Sequence, residues 1–353
     1  MTDLTGCGGR TDDAGGVELD NGVLRVRVAR AGAELASIVR NDTGIEYLWS
    51  GDPAFWPRRA PVLFPIVGRL RGDAFSHGGT RYRLPQHGFA RDRRFEIAET
   101  CSHADPGRAA TAHSGAPATP TGQDAILPDP VAHPARVPES TEHPAIGHAA
   151  TSCAATFAFI DDDATRAAYP FPFRLEVGYL LDGDWLRVSF AVCNPGEALL
   201  PFSLGGHPGF RCPLVPGECF TDSVIEFEHA ETVDRWPVVD GLIGRPAIPA
   251  LRGQATIDLT PDLFCDGALV FTDLHSRRVR LAGPKGGRGV EMEFDGFPSF
   301  GIWSKPGAPF VCLEPWCGIA DSVDASGRLE DKPGLIWLPP GEGWRRSFAV
   351  RPF

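Results

Sequence analysis

Apolar and polar residues alternate along this chain in short runs, broken by Gly, Pro, Asn and Asp. That period of two is the pattern of half-buried β-strands. Val17-Glu18-Leu19 and Val23 to Val28 flank Asp20-Asn21-Gly22. Asn-Gly readily adopts the positive φ of a tight turn, so a hairpin is predicted there. Ala33 to Val39 and Ile45 to Trp49 continue the meander, and Tyr82 to Leu84 is a short strand. Arg94 to Thr100 puts Phe95 and Ile97 on one face. Later, Phe173 to Leu181 should pair with Trp185 to Val192 across Asp182-Gly183-Asp184. Strands are also predicted at Thr156 to Ile160, Ala198 to Leu204, Ser223 to Phe227, Ala268 to Phe271, Val279 to Leu281 and Val290 to Phe294. Phe300 to Trp303, Phe310 to Leu313, Gly334 to Leu338 and Arg346 to Val350 complete the set. Helices are few; Thr260 to Phe264 reads as one helical turn. The pattern implies a mainly β protein, a large antiparallel β-sandwich with long connections.

Two segments break the pattern. Residues 1–16 are polar and rich in Gly and Asp, as expected of a disordered tail. From about 102 to 154 the chain is Ala, Pro, His, Thr, Gly and Asp with almost no aromatics. Such a stretch cannot bury enough apolar surface to order itself, so a low-complexity disordered insertion is predicted. It holds five of the ten histidines (His103, His113, His133, His143, His148), without metal-ligand spacing, and so leaves few for chemistry. Strand pattern resumes at Thr156, so the insertion should interrupt a hairpin within a single domain, 17–353.

Net charge is −11 and no basic tract occurs, which argues against nucleic acid as a partner. No apolar run is long enough for a membrane helix, and the start lacks the features of a signal peptide. The nine cysteines are odd in number and form no C-x-x-C. Cys312 and Cys317 flank Glu314, which raises a metal or redox site, but free cysteine more often serves as a small buried hydrophobe. A reducing, cytoplasmic setting is expected.

The candidate chemistry lies in three cramped settings. Glu314 follows the apolar run Pro309 to Leu313 and precedes Pro315, which has no N–H for a ladder. Glu314 is therefore expected at a strand end, where the scaffold can aim it into a cleft. His207 stands between Gly205-Gly206 and Pro208, and His87 between Pro85 and Gly88. Either ring alone could merely cap a turn, and Glu314 could be a solvated charge. Together, one carboxylate and two histidines suffice to move protons on and off oxygen. The proline-broken stretch Pro57 to Leu70 reads as an extended loop delivering Arg69; Arg69 and Arg91 offer fork-shaped donors for hydroxyls or an anion. Trp303, Phe210, Phe89 and Trp316 could give a pyranose its apolar platform, although most aromatics serve the core.

His87-Gly88-Phe89-Ala90-Arg91, Gly206-His207-Pro208-Gly209-Phe210, Val67-Gly68-Arg69 and Glu314-Pro315-Trp316-Cys317-Gly318 together resemble the aldose 1-epimerase (mutarotase) family, most of all its bacterial LacX-like branch. The resemblance runs from about Val17 to Phe353, omits the insertion, and includes the Trp303-Ser304-Lys305-Pro306-Gly307 approach to Glu314. It implies a galactose mutarotase-like β-sandwich and an isomerase that interconverts the α and β anomers of a hexose. Glu314 matches the general base at the C1 hydroxyl and His207 the general acid at the ring oxygen. His87 and Arg69 match substrate-holding positions, which Arg91 and Trp303 extend. The implied reaction needs no metal and no organic cofactor; its partner is a monosaccharide such as galactose, glucose or a hexose phosphate. Two features depart from the better-studied branch: Gly209 precedes Phe210, and the family's substrate-binding aspartate has three candidates, Asp266, Asp273 and Asp295.

Three other readings stay open. A hexose-6-phosphate 1-epimerase could use Arg69, Arg71, Arg91, Arg93 and Arg94 to hold phosphate. A non-catalytic carbohydrate-binding protein would bind without exchanging anomers. A metal site of two histidines and one carboxylate lacks its usual cue, a His and a carboxylate two apart on one strand.

Overall fold

Residues 10–11, 15–101, 152–284 and 287–353 are described by the computed structural model, and all belong to one compact unit. The predicted disordered insertion lies almost wholly outside these residues, as does most of the predicted tail. Arg10–Thr11, within that tail, pairs with Glu18 and Val17.

Alternation in sequence becomes burial in space. In the hairpin of Arg174–Asp182 and Trp185–Cys193, Leu175, Val177, Tyr179 and Leu181 bury from one strand and Leu186, Val188, Phe190 and Val192 from the other. This hairpin lies in a nine-stranded antiparallel sheet. Its order is Ile248–Asp258, Val224–Arg235, Arg278–Ala282, Gly289–Glu293, Gly343–Pro352, Trp185–Cys193, Arg174–Asp182, Cys153–Ile160 and Glu96–Cys101. The last two pair with each other, on either side of residues 102–151. A four-stranded sheet, with Val17–Asp20, Leu24–Val28 and Leu35–Arg40 in sequence order, carries the first predicted hairpin.

The third main sheet runs Leu269–Phe271, Ser299–Trp303, Phe310–Cys317, Leu204–Gly206, Val62–Leu63, and Gly209–Arg211 also pairs with Phe310–Cys317. One continuous core, with Phe64, Tyr169, Phe173 and Phe202 fully buried, joins residues from all three sheets. The fold is the expected antiparallel β-sandwich.

Several elements differ from expectation, each for a local reason. Ile45 to Trp49 makes only isolated bridges. The Glu46 carboxylate there takes the Ile38 and Leu48 N–H groups and the Ser37 hydroxyl, replacing ladder partners with a side chain. Ala198 to Leu204 splits at Ser203, whose N–H donates to Pro65 and whose hydroxyl accepts from Val67 N–H. Thr260 to Phe264 is a run of turns. Among the described residues the α-helix is instead Asp163–Ala168, fixed by a reciprocal cap between Asp162 and Thr165. Cys153 is disulfide-bonded, so the cysteines are not all free; Cys193, Cys212, Cys219, Cys265, Cys312 and Cys317 are. No helix among the described residues is long and apolar enough to cross a membrane.

Candidate active site

Glu314 lies within a strand, not at its end. Phe310–Cys317 is buried along its whole length and continues through Pro315, which pairs with Phe300. Its other neighbour explains the tolerance. Gly209–Arg211 pairs with Phe310 to Cys312, and Leu204–Gly206 pairs with Trp316 and Cys317. Between these two short ladders the chain arches through His207 and Pro208. N–H groups alternate sides along a strand. Leu313 donates toward this side, to Pro208 O at 3.2 Å. Pro315 therefore turns its missing donor to the same side, beside the interruption. The gap that accommodates the proline also brings His207 level with Glu314. Nε2 of His207 lies 3.1 Å from Oε2 of Glu314. Both side chains are buried, and Oε2 and the His207 Nδ1 have no hydrogen-bond partner among the described residues.

His87 is set by its backbone. Its φ of 66° and the 68° of Gly88 put two successive residues in the left-handed region. Glycine is required at 88, because a Cβ would come 2.3 Å from Phe64 O. His87 N–H donates to Gly68 O at 2.7 Å, and its Nδ1 accepts from Gly68 N–H at 3.1 Å. A neutral ring with Nδ1 as acceptor carries its proton on Nε2. The two imidazoles meet edge to face, centroids 5.5 Å apart. Trp56 stacks on His207 at 4.9 Å and Trp303 meets it edge-on at 5.9 Å.

These groups line a cavity of about 340 Å³ with two unlike ends. Gln86, His87, Arg91, His207 and Glu314 supply the polar side chains. The rest of the wall is mostly apolar and includes Trp56, Trp303 and Trp316. A Cβ on Gly301 would lie 2.5 Å from Trp316 Cη2, and one on Gly205 would lie 2.5 Å from Cδ1. The indole thus covers glycines on both neighbouring strands, where any other residue would lift it. Ala320 presses on Gly68, whose Cβ would come 2.4 Å from Ala320 Cβ. The adjacent Asp321 is tied to Lys332, to Arg71 N–H and to backbone groups of Arg69 and Ile243.

Burial governs the charges. It lowers His207 to about 3, with Arg91 and Arg58 adding to the effect. It holds His87 well below the imidazole range, helped by His207, Arg91 and Arg58. It raises Glu314 well above the carboxylate range. Burial therefore favours a protonated Glu314 carboxyl beside a neutral His207 imidazole. Cys312 Sγ, His207 and Glu314 also place their donor atoms within 4.8 Å of one another. Burial and Glu314 push the Cys312 thiol well up, so a cation there would have to displace two firmly held protons.

The structure thus brings together His87, Arg91, His207, Trp303 and Glu314. Arg69 is not in the cavity wall. Its guanidinium forks onto Asp73 at 2.7 and 2.8 Å and donates to Asp240 O at 3.0 Å. Asp266, Asp273 and Asp295 do not line the cavity either. Sequence reasoning missed Trp56, which immediately precedes the Pro57 to Leu70 stretch. It also missed Gln86, whose position beside His87 was the available signal.

The antiparallel β-sandwich is of the galactose mutarotase-like type, as similar solved structures show. The model of the aldose 1-epimerase family matches residues 16–118 and 146–351, and the chain belongs to that family. It is 30% identical over 348 residues to protein LacX (plasmid) of Lactococcus lactis subsp. lactis, covering 95% of this chain and 98% of that protein. It is similar to a galactose mutarotase related enzyme from Lactobacillus acidophilus, with TM-score 0.76, 31% identity, and 96% and 97% of the two chains covered. A galactose mutarotase-like protein from Lactobacillus casei gives TM-score 0.76 and 26% identity, with 96% of this chain and 100% of that one covered.

Proposed function

We propose that the protein is an aldose 1-epimerase acting on an uncharged monosaccharide. The observation that carries this reading is the buried contact of His207 Nε2 with Glu314 Oε2, 3.1 Å, in the wall of a sugar-sized cavity. Ring opening needs one proton removed from the C1 hydroxyl and one delivered to the ring oxygen. Glu314 and His207, one carboxyl and one imidazole in contact, are the two groups placed to do both. Family resemblance makes Glu314 the base and His207 the acid. Burial puts the resting proton on Glu314, so substrate entry must move it to His207 before that direction runs. Reclosure on the other face uses the same two groups in reverse. His87, Arg91 and Trp303 hold the sugar: a ring Nε2–H, a guanidinium and an aromatic face.

The arginine placements favour an uncharged sugar over a hexose phosphate. Arg69 is engaged by Asp73, Arg71 donates to Ala325 O, and Arg93 lies 3.9 Å from Asp162. Arg91 lines the cavity, but one of its two terminal nitrogens already donates to Gln86 O at 2.6 Å. Phosphate sites usually offer paired, unoccupied donors.

NMR exchange spectroscopy tests the reading. Wild type should speed anomer exchange of galactose or glucose above the buffer rate, and glucose 6-phosphate less. Glu314→Gln and His207→Asn should each lose it. Sugar binding without exchange would instead support a carbohydrate-binding protein.

A further inference from the structure

We infer, on the epimerase reading above, that the far half of the cavity receives a deoxygenated carbon, so that the preferred substrate is an aldose without its C2 hydroxyl. The strands give the order of groups along the cavity floor. Val270 pairs with Gly301, and Gly301 pairs with Glu314. His207 stands against Glu314 on the next segment. Residues directly opposed across strands turn their side chains to the same face. The row is therefore His207, Glu314, Gly301 under the Trp316 ring, then Val270.

A sugar with its ring oxygen at His207 and its C1 hydroxyl at Glu314 is thereby oriented. The ring carbon beyond C1 is C2, and turned along this row it meets Trp316 and Val270. Val238, Ile243, Ala268 and Ala320 complete that wall, and none of them has a polar side-chain atom. The Trp316 N–H is buried without a hydrogen-bond partner among the described residues, and it lies at the other end of the ring. Cδ1, its neighbour in the ring, lies over Gly205, so the polar edge faces the His207 strand and the hydrocarbon edge faces Val270. Gln86 and Arg91 gather instead with His87, on the His207 side.

A C2 hydroxyl entering this wall leaves water and meets carbon. An apolar pocket disfavours an added hydroxyl by roughly 10- to 100-fold. That is the expected gain of 2-deoxyglucose over glucose in kcat/KM, each divided by its uncatalysed rate in the same buffer. Exchange spectroscopy on glucose, 2-deoxyglucose, galactose and 6-deoxygalactose reads it. Equal or poorer turnover of 2-deoxyglucose overturns the proposal. A gain confined to 6-deoxygalactose overturns the placement at C2. Turnover of none of the four overturns the epimerase reading itself. Val270→Thr keeps the shape of the wall and adds one hydroxyl. It should narrow the preference for 2-deoxyglucose several-fold; an unchanged preference in a folded Val270→Thr protein counts against the subsite.

Discussion

Lys332 Nζ meets Asp321 Oδ1 at 2.9 Å with both side chains buried, directly behind the cavity wall that Ala320 forms. Burial lowers Lys332, and Asp321 opposes that. Removing the cation leaves a buried carboxylate without its counter-charge, which typically costs about 3–5 kcal/mol. Lys332→Met should lower the urea midpoint accordingly. In the folded fraction KM should rise more than kcat falls, because the variant loosens a wall and leaves the proton-transfer pair in place. A variant as stable as wild type would mean the pair does not brace this wall.

Glu314→Gln should cost activity and gain stability together. Loss of a general acid–base group lowers the rate by about 10²–10⁴-fold. Stability follows from the raised carboxyl. A group held above its ordinary 4.5 keeps its proton in the folded state where the unfolded chain has lost it. Its contribution is full below 4.5 and is lost as pH rises through the folded value. An amide cannot ionise, so the stability gain over wild type should grow as pH rises above 4.5. Urea titrations at several pH values check this, and a constant difference would contradict it.

His207 predicts the opposite slope. Its folded value, about 3, lies below the ordinary 6.5, so the unfolded chain takes the proton first as pH falls. Stability from this group is full above 6.5 and is lost on acidification toward 3. Between 4.5 and 6.5 the two groups oppose each other, and Glu314→Gln should uncover the histidine slope. His207→Asn should flatten it. The kcat/KM profile should likewise show no acid limb near 6.5.

Gly301→Ala should act on binding. The added Cβ would lie 2.5 Å from Trp316 Cη2, and the ring must lift from the floor. Overpacking of this kind costs about 1–3 kcal/mol. We expect KM to rise roughly tenfold, equivalent to about 1.4 kcal/mol of binding, with kcat changed less. Steady-state kinetics beside a melting curve separate the two effects.

Much of this was legible in sequence because period-two alternation and Gly/Pro punctuation are local signals. The Arg174–Asp182 and Trp185–Cys193 hairpin was written in its residues, and so were the settings of His87 and His207. Pro315 misled for an instructive reason. A proline ends a ladder only where a donor is needed, and whether one is needed depends on a neighbouring strand distant in sequence. Arg69 misled in the same way, since its partner Asp73 competes for the guanidinium and only geometry decides the outcome. Trp56 carries no local signal; it joins the site through a ring contact with His207.

The neutral resting state of the His207 and Glu314 pair has a consequence for behaviour in different media. An uncharged sugar meeting an acid and an imidazole that together carry no net charge gains nothing from long-range attraction. Salt screens only fields between charges. The capture rate should therefore be almost flat from dilute buffer to high ionic strength, even though the chain as a whole carries a net charge of −11. On the proposed function, stopped-flow or exchange rates measured across a salt series should therefore superimpose.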